Sequence, residues 1–116
     1  MSTILVVEDE LSVRTYVARV LEAAGYKVVL ASNGLEAISL FRSSPAAFDV
    51  VLTDLTMPVL DGHQLVHLVR ETKSTAKIMC MSGYSENDLP SGVELLEKPF
   101  PPATLLTRLD ELLHQS

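Results

Sequence analysis

Residues 3–9 have the sequence TILVVED, a run of β-forming residues followed at once by two acids. The run does not alternate apolar with polar residues, which is typical of a strand covered on both faces of a parallel sheet. Similar runs recur along the chain, the last with a weaker pattern. The five predicted buried strands are Thr3–Val7, Lys27–Ala31, Asp49–Thr53, Lys77–Met81 and Val93–Leu96.

Apolar residues at helical spacing occupy most of the intervals between these runs. The four stripes are Val13, Val17, Val20, Leu21 and Ala24; Leu35, Ile38 and Phe41; Leu65, Leu68 and Val69; and Leu105, Leu106, Leu109, Leu112 and Leu113. Ser12 is the expected N-cap of the first helix, Gly25 its expected stop, and Asp61 the expected cap of the third. Alternating strands and helices predict an α/β fold, a doubly wound parallel sheet with helices on both faces.

The interval between the fourth and fifth strands differs from the others. It contains Gly83, Pro90 and Gly92 within residues 82–92, and an average helix of about eleven residues does not fit there with both its connections. The sequence predicts a shortened or irregular helix in this interval.

The length, charge and cysteine content of the chain exclude several classes of protein. The 116 residues suit one domain, and the 15 acids against 9 basic residues give a net charge of −6. Nucleic acid and anionic membranes are disfavoured as direct partners because both require a basic surface. No signal peptide or membrane span is visible, and the single cysteine, Cys80, suits a reducing compartment. We therefore expect a soluble cytoplasmic domain.

Reactive side chains follow four of the five predicted strands. They are Glu8 and Asp9 after the first, Asp54 after the third, Ser82 after the fourth and Lys98 after the fifth. Ligands of open α/β sheets bind outside the carboxyl ends of the strands, so these side chains are expected to converge on one crevice.

Three converging carboxylates repel one another unless a cation joins them or their pKa values rise. Mg²⁺ fits best, because it accepts few protein oxygens and keeps water positions for a phosphate. Phosphoryl transfer needs a nucleophilic oxygen and a cation for the developing charge. An aspartate such as Asp54 can be the nucleophile, with Lys98 as the point charge and Ser82 as a hydrogen-bond donor to a phosphate oxygen.

Four motifs together resemble the receiver domain of two-component response regulators. They are Val6-Val7-Glu8-Asp9-Glu10, Asp54-Leu55-Thr56-Met57-Pro58-Val59-Leu60-Asp61-Gly62, Met81-Ser82-Gly83-Tyr84 and Lys98-Pro99-Phe100. The match covers essentially the whole chain in the correct order, so residues 1–116 are expected to form a single receiver domain. The sequences of the second and third motifs are most similar to those of receivers of hybrid sensor histidine kinases.

The resemblance implies a role for each matching residue. Asp54 would accept a phosphoryl group from a phosphohistidine, Ser82 would be the switch hydroxyl, and Lys98 would contact the phosphate before a cis proline bond. The implied Mg²⁺ ligands are Glu8, Asp9, Asp54 and the backbone carbonyl of Thr56. The implied fold is the flavodoxin-like receiver fold, with five strands ordered 2-1-3-4-5 and five helices.

The implied partner is a histidine kinase or a histidine phosphotransfer domain. The domain would catalyse only its own phosphorylation and dephosphorylation, and it could be part of a hybrid histidine kinase. Two departures, the short fourth helix and Leu95 in place of a switch aromatic, fall on the output and dimer face. They favour a monomer that communicates through its phosphate. Tyr84, two residues after the switch serine, is expected to hinder the hydrolytic water.

Three other functions compete with this one. A haloacid-dehalogenase-type phosphatase also uses a nucleophilic aspartate and Mg²⁺, but it needs a second acid where this chain has Thr56. A phosphorylation-independent interaction module of receiver fold stays open because of the unusual output face. A nucleotide-binding protein is disfavoured by the lack of a glycine-rich phosphate loop.

Overall fold

Five parallel strands form one sheet in a computed structural model, which describes residues 2–57, 59–72, 75–83 and 92–114. The strands are β1 (Thr3–Val7), β2 (Lys27–Ala31), β3 (Val50–Asp54), β4 (Lys77–Ser82) and β5 (Glu94–Glu97). The helices of the described residues are α1 (Leu11–Ala23), α2 (Gly34–Ser43), α3 (Gly62–Glu71) and α4 (Pro102–Leu113), with a 3-10 turn at Pro45–Ala47. The strand order β2-β1-β3-β4-β5 confirms the predicted receiver topology.

The sheet is covered on both faces, because successive strand residues point to opposite sides. Leu5 and Val7 of β1 pack in one layer with Phe41 of α2 and Leu65 of α3. Ile4 and Val6 pack in the other layer, whose helical members include Val17 and Leu21 of α1 and Leu105 and Leu109 of α4. The continuous apolar runs therefore arise as predicted, since both faces of the central strands are buried.

The prediction of five buried strands is wrong for β5, in which only Leu96 is buried, and for β2. Strand β2 lies at one edge of the sheet, where only Ala31 is buried and Leu30 is 43% exposed. Two other strands begin one residue later than predicted, at Val50 and Glu94, and β4 continues through Ser82. Asp49 stays outside β3 and accepts a hydrogen bond from the Thr3 amide through its side chain.

Two expectations for the helices are also wrong. Ser12 does not cap α1, which begins at Leu11 after Glu10 and has no side-chain capping bond. The helix therefore begins two residues before the start that a Ser12 cap would give, and the amide of its N-cap residue, Glu10, donates to the Glu8 carboxylate. Leu35 is 56% exposed, so the buried face of α2 is formed by other residues, including Ala37, Ile38 and Phe41.

The predicted stops and caps elsewhere are confirmed. Gly25 has a φ of +96°, a left-handed conformation that favours glycine and ends α1. Asp61 caps α3 by accepting the Gln64 amide, while the Gln64 side chain accepts the Asp61 amide. This reciprocal capping box fixes where α3 leaves the loop that follows Asp54.

The predicted short helix between the fourth and fifth strands lies outside the described residues, as do Tyr84 and Pro58. Within the described part of the chain, no helix is long and apolar enough to cross a membrane.

Candidate functional site

The parallel sheet delivers four of the predicted residues to one edge. Asp54 and Ser82 are the last residues of β3 and β4, whereas Glu8 and Lys98 directly follow β1 and β5. Because parallel strands end on the same side of a sheet, these residues meet at its carboxyl edge. Residues that the sequence places up to 90 positions apart become neighbours there.

Glu8, Asp9 and Asp54 form an acidic cluster. Each offers a carboxylate oxygen, and these oxygens all lie within 4.8 Å of one another. Glu8 is fully buried and Asp54 is 7% exposed, whereas Asp9 is open to solvent. The cluster is the one group of three or more close metal-binding side chains among the described residues. It is therefore closed on the protein side and accessible from solvent on the other.

Lys98 lies between two of these acids. Its Nζ atom is 2.9 Å from Oε2 of Glu8 and 3.2 Å from Oδ2 of Asp54, and its side chain is 22% exposed. The Lys98 amide donates to the Ser82 carbonyl at 2.7 Å, which ties the start of the loop after β5 to the end of β4. The Lys98–Pro99 peptide bond is cis, as the resemblance implied.

The charges at the site alter one another's protonation. Burial, aided by the charge of Asp54, raises the pKa of Glu8 from 4.5 to about 7, although the hydrogen bond from Lys98 lowers it. Burial alone would lower the pKa of Lys98, but the hydrogen bond that Lys98 donates to Glu8 and the charges of Asp54 and Glu8 outweigh this effect and raise the pKa. Lys98 thus forms ion pairs with the two buried acids of the cluster, Glu8 and Asp54.

The donor set fits a hard divalent cation. Three carboxylates face one ammonium, so when all are ionised the site keeps an excess of negative charge that a divalent cation would offset. Among the described residues, the ligand atoms of this cluster are all carboxylate oxygens, which suits Mg²⁺. The chemistry of these residues thus agrees with the predicted cofactor.

Thr56 and Ser82 lie beside the acids. The exposed Thr56 donates its amide to Oδ1 of Asp54 at 3.3 Å, so the loop after β3 folds back over the carboxylate. Ser82 is 2% exposed and neighbours Glu97 in the register of β4 with β5. Both residues are therefore in the site that the strand-end pattern predicts.

Two glycines hold the loop between Asp54 and α3 against the sheet. A Cβ on Gly62 would lie 2.5 Å from the Asp54 carbonyl oxygen, and one on Gly34 would lie 2.5 Å from the Leu60 carbonyl oxygen. Neither contact leaves room for a side chain. The close approach of α2 and α3 therefore positions the backbone that carries Asp54 and Thr56.

Two side chains of α1 donate hydrogen bonds to backbone carbonyls next to the site, and the sequence did not predict either contact. The Arg14 guanidinium donates to the Glu8 carbonyl at 2.8 Å, and the Tyr16 hydroxyl donates to the Phe100 carbonyl at 2.8 Å. Arg14 stands one helical turn after the acidic motif, so its reach could have been inferred from spacing. Tyr16 and Phe100 are 84 residues apart, and no sequence pattern links them.

The remaining predicted residues lie away from the acidic cluster or serve packing. Cys80 is fully buried in β4, and burial raises the pKa of its thiol to about 12, as expected of a structural cysteine. Leu95 of β5 is half-buried and its carbonyl accepts a hydrogen bond from Arg108 of α4. His67 pairs with Glu71 on α3, so it belongs to a surface contact outside the acidic cluster.

Residues 4–110 match the response regulator receiver domain family. The chain is 35% identical over 120 residues to the sensor kinase CckA of Brucella abortus, covering 98% of this chain but 13% of the kinase. It is 32% identical to the response regulator receiver protein CpdR of the same organism, covering 97% of this chain and 98% of that protein. The chain thus spans a small part of the first relative and nearly all of the second.

Solved structures agree with this similarity. The receiver domain of the hybrid histidine kinase CckA superimposes with a TM-score of 0.88 at 37% identity, covering 97% of this chain and 100% of that structure. The predicted likeness to receivers of hybrid kinases is therefore confirmed.

Proposed function

Because this chain belongs to the response regulator receiver domain family, we propose that Asp54 is the residue at which it accepts its phosphoryl group. The family acts as phosphoacceptors in two-component signalling, and its members interact with histidine kinases or phosphotransfer partners. The single observation that carries the assignment is the contact of Lys98 with Asp54 at 3.2 Å inside the acidic cluster.

Asp54 would act as a nucleophile toward a phosphohistidine. One carboxylate oxygen attacks phosphorus, the new O–P bond forms, and the P–N bond breaks with its electron pair returning to the imidazole. The carboxylate is almost entirely buried, and the Thr56 amide orients its Oδ1 atom. Such fixed orientation lowers the entropic part of the barrier.

Lys98 would stabilise charge during the transfer. Its ammonium lies where it reaches both Glu8 and Asp54, so it can donate to a phosphoryl oxygen carried by the latter. Ser82, buried at the end of β4, would supply a hydroxyl to another phosphoryl oxygen and so sense phosphorylation. These roles follow from charge and position at the strand ends.

Glu8, Asp9, Asp54 and the Thr56 backbone carbonyl would hold Mg²⁺. When bound, the ion would neutralise charge on the acids and on the transferring phosphoryl group. The convergence of the three carboxylate oxygens within 4.8 Å supports this ligand set. Asp9, the exposed member, leaves the cluster open toward solvent, where a phosphodonor would approach.

We also propose that the domain is a cytoplasmic monomer, that it turns over no separate substrate, and that it binds neither nucleic acid nor membrane directly. The net charge of −6 supports the absence of nucleic-acid and membrane binding. Leu95, a half-buried aliphatic residue on β5, supports signalling through the phosphate rather than through an aromatic switch. A phosphorylation-dependent homodimer in sedimentation analysis would contradict this part of the proposal.

A labelling experiment tests the phosphoacceptor directly. The protein is incubated with Mg²⁺ and either acetyl phosphate or a phosphorylated histidine phosphotransfer domain, and its intact mass is followed. We expect the mass of one phosphoryl group to be gained, stable in acid and labile in base. Asp54→Asn should lose the label, whereas Asp110→Asn, at an exposed position on α4, should keep it. Label that persists in Asp54→Asn, or no label in the wild type, would overturn the proposal.

A further inference from the structure

The loop that carries Lys98 has few backbone hydrogen-bond donors of its own. Residues 98–102 have the sequence KPFPP, and the three prolines have no amide hydrogen. The Lys98 amide is bound to the Ser82 carbonyl, and the Pro101 carbonyl accepts the first amides of α4. Between these two ends, the position of the loop depends on contacts from outside it.

Tyr16 supplies such a contact at the middle of the loop. Its hydroxyl donates to the Phe100 carbonyl at 2.8 Å, and the two rings pack at a centroid distance of 6.1 Å with a tilt of 47°. Phe100 is 8% exposed, so loss of the hydroxyl would leave its carbonyl without this partner at a largely buried residue. The hydrogen bond and the ring contact together hold the loop to α1.

The same helix also holds the acidic side of the site. α1 begins directly after Glu8, Asp9 and Glu10, and Arg14 donates to the Glu8 carbonyl at 2.8 Å. Helix α1 therefore contacts the backbone of the acids through one side chain and the backbone of the lysine loop through another. The segment that carries Glu8 and the segment that carries Lys98 are thus hydrogen-bonded to the same helix.

A cavity lies beside the stem of Lys98. It has a volume of about 240 Å³ and is lined by Val13, Tyr16, Lys98, Pro99 and Phe100. On this side the Lys98 side chain borders open space rather than packed atoms. It is held by its ion pairs with Glu8 and Asp54 at one end and by the backbone of the loop at the other.

We propose that Tyr16 is a positioning residue for Lys98, which holds the lysine loop against α1 through its hydroxyl bond to the Phe100 carbonyl. This inference rests on the proposed role of Lys98 in phosphoryl transfer. Among the described residues, Tyr16 hydrogen-bonds to the Phe100 carbonyl of the lysine loop, so it would act on the reaction through Lys98. Its removal should affect the reaction rate without weakening the binding of Mg²⁺.

The variant Tyr16→Phe keeps the ring and removes only the hydroxyl. With acetyl phosphate as donor and acetate as leaving group, we expect the rate of phosphorylation to fall about three- to tenfold, which corresponds to the loss of one hydrogen bond. The affinity for Mg²⁺, measured by calorimetric titration, should stay unchanged. Tyr26→Phe, another half-buried tyrosine in the same core layer, is the matched control and should change neither quantity.

A double-mutant cycle with Lys98→Met separates positioning from a general structural effect. If Tyr16 acts through Lys98, Tyr16→Phe should have little further effect in the Lys98→Met background, on the affinity for beryllofluoride as well as on the rate. The free energy of unfolding is also measured for the four proteins of the cycle, because it can be obtained even for variants that are labelled slowly. Tyr16→Phe should lower the free energy of unfolding by less in the Lys98→Met background than in the wild type.

Three results would overturn the inference. They are an unchanged rate in Tyr16→Phe, effects that add fully in the double variant, and an Mg²⁺ affinity that falls as much as the rate. If the wild type itself is not labelled, the proposed function fails. If the wild type is labelled but Tyr16→Phe behaves like it, only the positioning role fails.

Discussion

Lys98 and Asp54 touch across a strand that separates them. Asp54 ends β3 and Lys98 follows β5, with β4 between the two strands, yet Nζ of Lys98 lies 3.2 Å from Oδ2 of Asp54. The contact is possible because the lysine side chain is long enough to cross the carboxyl end of β4. This ion pair joins the proposed phosphoacceptor to the cation that would stabilise its phosphoryl group.

Replacing Lys98 by methionine should destabilise the protein in the absence of divalent cations. Glu8 would then be buried without its 2.9 Å partner, which costs about 3 kcal/mol when the carboxylate stays ionised. The decrease in the free energy of unfolding should be smaller at pH 6 than at pH 8, because at pH 6 Glu8 can take up a proton and lose its charge. Urea unfolding at both pH values measures it. Lys27→Met, at an exposed site on β2, should have little effect, and an equal loss in both variants would refute the prediction.

The affinity for Mg²⁺ should rise with pH near neutrality. Burial raises the pKa of Glu8 to about 7, and a carboxylate must be ionised to bind a metal. Binding should therefore be weaker at pH 6 than at pH 8, by about tenfold at most. Titration calorimetry at the two pH values gives the ratio of the two Mg²⁺ affinities. Glu8→Gln should bind more weakly and lose this pH dependence, and an equally steep dependence in that variant would exclude Glu8 as its source.

Without metal, the same group should lower stability as pH rises. The folded state binds the Glu8 proton more tightly than the unfolded state, whose carboxyl has an ordinary pKa of 4.5. The stability that Glu8 contributes is fully present below pH 4.5 and is lost as pH rises to about 7. The free energy of unfolding of the wild type, relative to that of Glu8→Gln, should therefore decrease over this range. A difference that stays constant with pH would contradict the prediction.

Val59→Gly should stabilise the protein. Val59 has a φ of 70° and is 82% exposed, so a β-branched residue occupies a left-handed conformation without burial to compensate. Glycine removes this strain at the cost of some chain entropy, for a net gain of about 1 kcal/mol. Thermal unfolding measures the gain. Val59→Ala removes apolar surface but keeps Cβ and should gain less; a larger gain from alanine would mean that strain is not the cause.

Gly62→Ala should destabilise the fold and slow phosphorylation. The new Cβ would lie 2.5 Å from the Asp54 carbonyl oxygen and 2.7 Å from Cα of Leu55, both backbone atoms that cannot rotate away. We expect the free energy of unfolding to fall by about 2 kcal/mol and Asp54 to be displaced. Urea unfolding and acetyl phosphate labelling test the two effects. Gly83→Ala, where a new Cβ would meet no atom of the described residues within 4 Å, is the control and should leave stability unchanged.

Much of the site could be predicted because its residues stand where strands end. Glu8, Asp9, Asp54, Ser82 and Lys98 each follow or close an apolar run, and parallel strands bring such positions to one edge. The prediction at Ser12 is wrong because α1 already begins at Leu11, after Glu10, whose amide donates to the Glu8 carboxylate. That contact depends on how a buried acid turns within the site, which local sequence preferences do not describe.

The sequence by itself determined the strands, the α/β class and the set of acids around one lysine, because hydrophobic period and strand-end chemistry are local properties. Only the tertiary structure decided that β2 is half exposed at an edge, that Lys98 lies between Glu8 and Asp54, and that Tyr16 holds the lysine loop. The last two contacts join residues 90 and 84 positions apart. Contacts of this kind exist only after the sheet and helices have packed, since no local preference connects such distant residues.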